Sequence, residues 1–306
     1  MQDLEYIEQL FAQRDIEKLD ACATAKERVL NRSKNFRSAL MLSANNLKHL
    51  IKIPQLKSDA VILNLEDGVS KEDKPFALVL TAIFLSHYQQ IDKKLIVRVN
   101  ALDEGGFDEI AYLNQFKPDA IRVPKIQSPK DVKKVLHLLH EDIELHLSIE
   151  TAAAWNNLSA LAMDKRVTTF YLGALDLLAD MKLSQSLISR NNPTFVYILS
   201  HFLVTCRALG VKAVSFVYQE FQKLDEFKTW LELEKQMGYD AKGCISPKQA
   251  EIANEMLVDD EAELERAQII VKLFEMNQEL GITGFTDDEY GFIDEPIYKD
   301  ALNKLR

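Results

Sequence analysis

Cysteine is scarce in this 306-residue chain: Cys22, Cys206 and Cys244 are the only three, and they are widely scattered. That excludes a disulfide framework and a thiolate metal site, and it fits a reducing cytoplasm. Long apolar runs are missing as well. None approaches the roughly 20 residues that span a bilayer, and the opening stretch MQDLEYIEQLFAQRDIEKLD is charged throughout, without the apolar centre of a secretion signal. Positive charge is in deficit, with 37 Lys and Arg against 47 Asp and Glu and a net charge of −10. A general nucleic-acid binder needs a basic surface to displace counterions, so that class is excluded too. A local cluster of Arg and Lys on an acidic protein can still hold a small anion. The expectation is a cytoplasmic protein with no membrane and no nucleic-acid partner.

What the chain does have is apolar content, 47% of residues, arranged in a repeating order. Residues 4–30 read as helix, with Leu4, Ile7, Leu10 and Phe11 at helical spacing. From Arg37 onward eight short apolar runs recur: Ser38–Ser43, Ala60–Glu66, Lys94–Asn100, Ala120–Lys125, Glu144–Glu150, Thr168–Ala174, Lys212–Val217 and Lys242–Ser246. Amphipathic stretches separate them, among them Asp73–Gln90, Pro129–His140, Ala152–Met163 and Asp225–Met237. Alternation of this kind predicts parallel strands joined by crossover helices, and eight strands close a TIM-type (β/α) barrel. An open doubly wound sheet would usually carry a glycine-rich phosphate turn after its first strand; here that turn reads LSANN. The sequence thus divides into an N-terminal helical extension (1–36), a barrel (37–257), and a C-terminal helix with a Gly-rich, acidic lid segment (258–306). An extra helix is expected within Leu177–Leu209, with a break at Asn191-Asn192-Pro193.

Barrel strands alternate between the helix layer and the interior, and active sites form at their carboxyl ends. Val61, Leu63 and Leu65 share one face of the second run, while Asn64 and Glu66 share the other, followed by Asp67. Leu95, Val97 and Val99 alternate with Arg98 and Asn100; Leu145, Leu147 and Ile149 alternate with His146, Ser148 and Glu150. Lys125 ends the fourth run and Asp176 follows the sixth. Singly, Asp67 or Asp176 reads as a helix cap, Lys125 as a solvated loop residue, and Arg98 as half of a structural ion pair. Together they bring charge from five strands to one rim, where carboxylates repel unless a cation intervenes. Glu150 and Asp176 offer hard oxygen ligands without nearby Cys or His, which favours Mg²⁺, or Mn²⁺ in its place, over Zn²⁺. A metal there would stabilise an enolate on a keto acid or other carboxylate-bearing substrate, with Arg98 gripping a carboxylate.

These segments resemble the citrate lyase β-subunit group of the HpcH/HpaI aldolase family, which includes malyl-CoA and citramalyl-CoA lyases. The matching stretches are Arg37-Ser38, NLEDGV (64–69), VRVN (97–100), VPKIQSPKDV (123–132), IET (149–151), LGALDL (172–177), CISPKQ (244–249) and FIDEP (292–296), in the family's order. The resemblance implies a Mg²⁺-dependent carbon–carbon lyase that cleaves a small carboxylic acid or its CoA thioester by reversible aldol or Claisen-type chemistry. Glu150 and Asp176 would be the metal ligands, and Arg98 the substrate-carboxylate arginine, also counted as catalytic. Arg37, Glu66, Asp67 and Glu150 would contact substrate, and Asp294 in FIDEP would move the proton at the enolate carbon. The same Asp-Glu-Pro also reads as the start of the last helix. A homo-oligomer, trimer or hexamer, is implied as well.

The chain departs from the family pattern in several places. Met41-Leu42-Ser43-Ala44 replaces a Pro-Gly turn, Asn64 an Asp, Ala152-Ala153-Ala154 a stretch with an Arg-Gly pair, Leu175 a Glu, and Ser246 a His. Loss of turn glycine changes how closely backbone can approach a ligand, which weakens CoA more than metal. The alternatives are an aldolase or hydrolase on a free keto or hydroxy acid without CoA, and a catalytically quiet binding or assembly subunit.

Overall fold

A computed structural model describes residues 4–26, 28–31 and 35–305. The chain forms two compact units, 1–257 and 258–306.

The first unit is the barrel. Its strands are β1 (Ser38–Ser43), β2 (Ala60–Asn64), β3 (Lys94–Arg98), β4 (Ala120–Val123), β5 (Glu144–Ile149), β6 (Val167–Leu172), β7 (Lys212–Val214) and β8 (Lys242–Cys244). Each lies at one of the eight predicted runs. Neighbours pair in parallel in the order β7-β6-β5-β4-β3-β2-β1-β8, and a parallel bridge between Ser215 and Lys242 joins the two ends. The strands are shorter than the runs at their carboxyl ends because Glu66, Asn100, Lys125 and Glu150 lie just past the last ladder bond. That leaves their side chains to turn over the rim.

The two faces separate as the alternation predicts. Val61, Leu63, Leu65, Leu95, Val97, Val99, Leu145, Leu147 and Ile149 belong to the large apolar cluster under the helices. The interior holds a smaller cluster with Ala39, Ala60, Ala120 and Ala241, closed by the fully buried Phe36. Small alanines at this end leave room for long polar side chains from β3 and β5. Lys94 reaches Glu144 at 2.8 Å, Glu144 meets His146 Nε2 at 3.2 Å, and His146 Nδ1 lies 3.2 Å from the Tyr171 hydroxyl.

The N-terminal segment departs from one long helix. It forms Leu4–Gln13 and Ile16–Ala21, broken where Arg14 takes a left-handed φ of 56° and Asp15 caps the second helix. Arg14 pairs with Asp73 at 2.8 Å and lies over Phe76, on the helix Lys74–His87, so tertiary contacts set the break. Farther on, Arg28 forms a buried pair with Asp119 before β4. The stretch Ala152–Met163 is likewise two short helices, Ala152–Asn156 and Leu158–Leu161. After β6 come Ala174–Asp180 and then Pro193–Leu209. Asn192 caps the latter by accepting from the Thr194 and Phe195 amides, with proline in the first turn.

The second unit is a helix Glu261–Glu279, a β-hairpin of β9 (Gly284–Asp287) and β10 (Gly291–Asp294), and a helix Glu295–Lys304. Its core is Ala267, Ile270, Phe274, Ile293 and Ala301, with Phe274 and Tyr298 stacked at 4.4 Å. The hairpin forms within the Gly-rich, acidic segment read from the sequence as a lid. Its strands are four residues long with half of their residues exposed, too short for a two-residue period to stand out in the sequence.

Candidate active site

A cavity of about 440 Å³ opens at the carboxyl ends of the strands. Asp67, Arg98, Arg122, Glu150, Gly173 and Asp176 all line it, so β2 to β6 each contribute at least one residue.

Arg98, the last residue of β3, is 7% exposed. Its Nε donates to Asn64 Oδ1 at 2.7 Å, and its Nη2 stands 2.8 Å from Glu66 Oε2 and 3.8 Å from Asp67 Oδ2. Glu66, 2% exposed, also takes Lys125 Nζ at 3.2 Å. Asn64 donates its amide to the Asp67 carbonyl and accepts from the Glu66 amide at 3.1 Å. With Asn at this place, Arg98 faces one buried carboxylate instead of two.

Glu150 follows β5 and is 4% exposed. Its Oε1 accepts from the Lys125 amide at 2.7 Å, with Lys125 in a left-handed φ of 50°. Positive φ in a lysine costs free energy, and such outliers concentrate at functional sites. Burial raises the Glu150 carboxyl above the ordinary glutamate range; the charge of Arg122 and the Lys125 amide oppose it, while Glu66 adds to it. Gly173 is what lets Glu150 sit here. A Cβ at Gly173 would lie 2.6 Å from both Cβ and Oε2 of Glu150. Since φ at Gly173 is −85°, the glycine serves close approach and not backbone conformation.

Asp176 lies in the first turn of Ala174–Asp180 and is exposed into the cavity. An acid there is favoured by the helix dipole. The cap position belongs to Gly173, so neither Asp67 nor Asp176 is a helix cap. Glu150 and Asp176 therefore share one cavity. Among the described residues no three His, Cys, Asp or Glu side chains converge to hold a metal. A protein contribution of two carboxylates suits Mg²⁺, which keeps several waters and leaves positions for substrate oxygens. A buried carboxylate of raised pKa, its Oε2 cradled against a glycine, fits such an ion.

Arg122 is a cavity-lining residue that the sequence reading passed over. It is 5% exposed, its Nε donates to Ser148 Oγ at 2.8 Å, and its guanidinium lies over the Tyr171 ring at 4.1 Å. Burial and the charge of Arg98 lower its pKa to about 10, which leaves it cationic at neutral pH. The signal was present: Arg122 lies between Ile121 and Val123 as Arg98 lies between Val97 and Val99.

Two expected site residues are engaged in contacts of their own. Arg37 precedes β1, at the amino ends of the strands. It holds Asp59 through its backbone amide and Nε, both at 3.0 Å, and donates to the Asn254 carbonyl at 3.1 Å. That removes Arg37 from the substrate-contacting set, because its place is the opposite end of the barrel. Asp294 ends β10 in the second unit, where its Oδ1 caps Glu295–Lys304 by accepting from the Ile297 amide at 3.2 Å. Ser246 is likewise a cap, accepting from the Gln249 amide at 3.2 Å.

Comparison with known proteins follows the same outline. The profile of the HpcH/HpaI aldolase/citrate lyase family matches residues 37–247. A (3S)-malyl-CoA thioesterase of Cereibacter sphaeroides is 34% identical over 244 residues, 78% of this chain and 83% of that protein. The mitochondrial citramalyl-CoA lyase of Mus musculus is 27% identical over 285 residues, covering 87% and 84%. Among solved structures, protein CitE from Mycobacterium tuberculosis, in complex with magnesium, acetoacetate and coenzyme A, superposes with a TM-score of 0.67. It is 21% identical and covers 90% of this chain and 99% of that one, a likeness of fold. The barrel, the eight runs that build it and the profile that spans it agree, and this chain belongs to the HpcH/HpaI aldolase/citrate lyase family.

Proposed function

We propose that this protein is a Mg²⁺-dependent carbon–carbon lyase acting on a small carboxylic acid or its CoA thioester. The observation that carries the reading is the sharing of one cavity by Glu150 and Asp176 with the buried cations Arg98 and Arg122. Glu150 and Asp176 would hold the ion, which supplies Lewis-acid stabilisation of negative charge on substrate oxygens. Arg98, fixed by Asn64 and Glu66, presents its guanidinium to a substrate carboxylate in one orientation. Lys125 keeps Glu150 in place through its amide while its ammonium offsets Glu66. Proton transfer at the reacting carbon falls to Asp294 in this reading. The magnesium and small acid named with the CitE structure support the assignment.

A second reading, hydrolysis of a thioester, is favoured by the 34% identity to a malyl-CoA thioesterase. Incubation with (3S)-malyl-CoA and Mg²⁺ separates them. Lysis gives glyoxylate and acetyl-CoA; hydrolysis gives malate and free CoA thiol. Calorimetric Mg²⁺ titration of the parent, Glu150→Ala and Asp176→Ala tests the metal site itself. Both substitutions should weaken Mg²⁺ binding by more than about a hundredfold, the loss expected when one of two protein ligands goes. Unchanged affinity in both would remove the ion from this site.

A further inference from the structure

Arg122 carries a charge that no ion pair among the described residues balances; the carboxylates of Glu150 and Glu66 act on it only from beyond ion-pair distance. It stands on β4 in register with Arg98 on β3, on the same inward face. Adjacent strands are about 4.8 Å apart, so two guanidinium groups rise side by side into the cavity. Arg98 is neutralised by Glu66 at 2.8 Å. Arg122 has no such partner: among the described residues no Asp or Glu forms an ion pair with it. Its one hydrogen bond is from Nε to the neutral Ser148, and the Tyr171 ring packs against its guanidinium plane. Among the described residues the terminal nitrogens Nη1 and Nη2 have no protein acceptor, and Arg122 lines the cavity at 5% exposure. Burying an unpaired cation is costly, and an anion bound beside it recovers that cost.

We propose that Arg122 binds a second carboxylate of the substrate, so that the cavity selects a small diacid over the monoacid of the same length. The inference rests on the reading of this cavity as the substrate site and narrows its substrate class. Arg98 takes one carboxylate and Arg122 the other, and a short carbon chain bridges the one-strand separation between them. A forked donor held flat on an aromatic ring presents two parallel N–H groups, the geometry a carboxylate accepts. Tyr171 and Ser148 are positioning residues for that fork.

The test uses succinate and butyrate, four-carbon acids that differ in one carboxylate, titrated calorimetrically into the full chain in EDTA and again in Mg²⁺. Succinate should bind at least about tenfold more tightly than butyrate, the discrimination expected of one charge-assisted pair. Arg122→Met should reduce succinate to the butyrate level and leave butyrate within about twofold. Arg122→Gln, which retains hydrogen bonding to Ser148, should do the same and serves if the methionine variant does not fold. A succinate preference that survives both substitutions, or equal weakening of both acids, overturns the proposal. The EDTA titration separates it from the metal reading. Diacid preference lost on substitution in a chain that binds no Mg²⁺ overturns only the metal; Mg²⁺ binding without diacid preference overturns only this inference.

Discussion

The two ends of the barrel handle buried charge in opposite ways. At the amino ends of the strands four charged pairs stand complete. Lys94 meets Glu144, Arg37 meets Asp59, Arg28 meets Asp119, and Lys242 meets Glu234 with both side chains at most 1% exposed. At the carboxyl ends the pairing is left incomplete. Arg98 and Lys125 share Glu66, but among the described residues Arg122 has no acid within ion-pair distance, although it is the largest favourable charge acting on Glu150. A buried charge removed from water is tolerated when the fold supplies its partner or when a ligand will. The amino end follows the first rule and the carboxyl end the second, so the fold's unbalanced end is where its chemistry belongs.

The largest effect that would break this comparison lies at the balanced end. Lys242→Met leaves Glu234 buried, with the Ser215 hydroxyl as its remaining donor among the described residues. Breaking a buried pair from one side costs about 3–5 kcal/mol. Urea unfolding should show that loss, while Mg²⁺ affinity of the folded fraction stays unchanged. A fall in Mg²⁺ affinity instead would show that the two ends are not independent. A smaller effect of the reverse kind is expected at Gly173→Ala. The added methyl would meet Glu150 at 2.6 Å, so that carboxylate must move. Overpacking of this kind costs about 1–3 kcal/mol, and Mg²⁺ affinity should fall by about tenfold or more as the ligand is displaced. Stability lost without any change in Mg²⁺ affinity would place the ion elsewhere.

The barrel was legible because its pattern is repeated. Apolar faces such as Val61, Leu63 and Leu65 recur strand after strand, and β1 matches its run residue for residue. Residues whose chemistry depends on that pattern were legible with it: Asn64, Glu66, Arg98 and Glu150 all emerge on the inward face. Arg122 had the same periodic signal but only two apolar flanks within a four-residue strand, and the neighbouring Lys125 drew attention from it. Gly173 could not be read, since its role is the absence of a side chain against a residue 23 positions earlier. Arg37 was misplaced because a motif at a strand start carries no mark of which barrel end it occupies. The break at Arg14 follows from Asp73 and Phe76, contacts far along the chain that local periodicity does not contain.

The smallest effect is a matter of pH and concerns the middle of the barrel, between the two ends. His146 is fully buried, stacked on Phe36 at 6.5 Å, with Glu144 and Tyr171 hydrogen-bonded to its two ring nitrogens. Burial lowers its pKa to about 4, against the pull of Glu144 and assisted by the charges of Lys94 and Arg122. An imidazole kept neutral in the fold but protonated near pH 6.5 once unfolded draws the equilibrium towards unfolding as acid is added. Stability should therefore be complete above about pH 6.5, decline below it, and lose its His146 contribution near pH 4. Glu144 acts with the same sign at lower pH. Burial opposes its ionisation, but His146 and Lys94 hold its carboxyl down at about 2, so its contribution disappears between the ordinary glutamate range and that value. In denaturant titrations from pH 7 to pH 5, where carboxylates contribute little, His146→Gln should flatten the decline. An unchanged slope would mean that His146 takes up its proton equally in the folded and unfolded states, and a steeper one that it is protonated in the fold, with the middle of the barrel balanced by charge in the manner of its amino end.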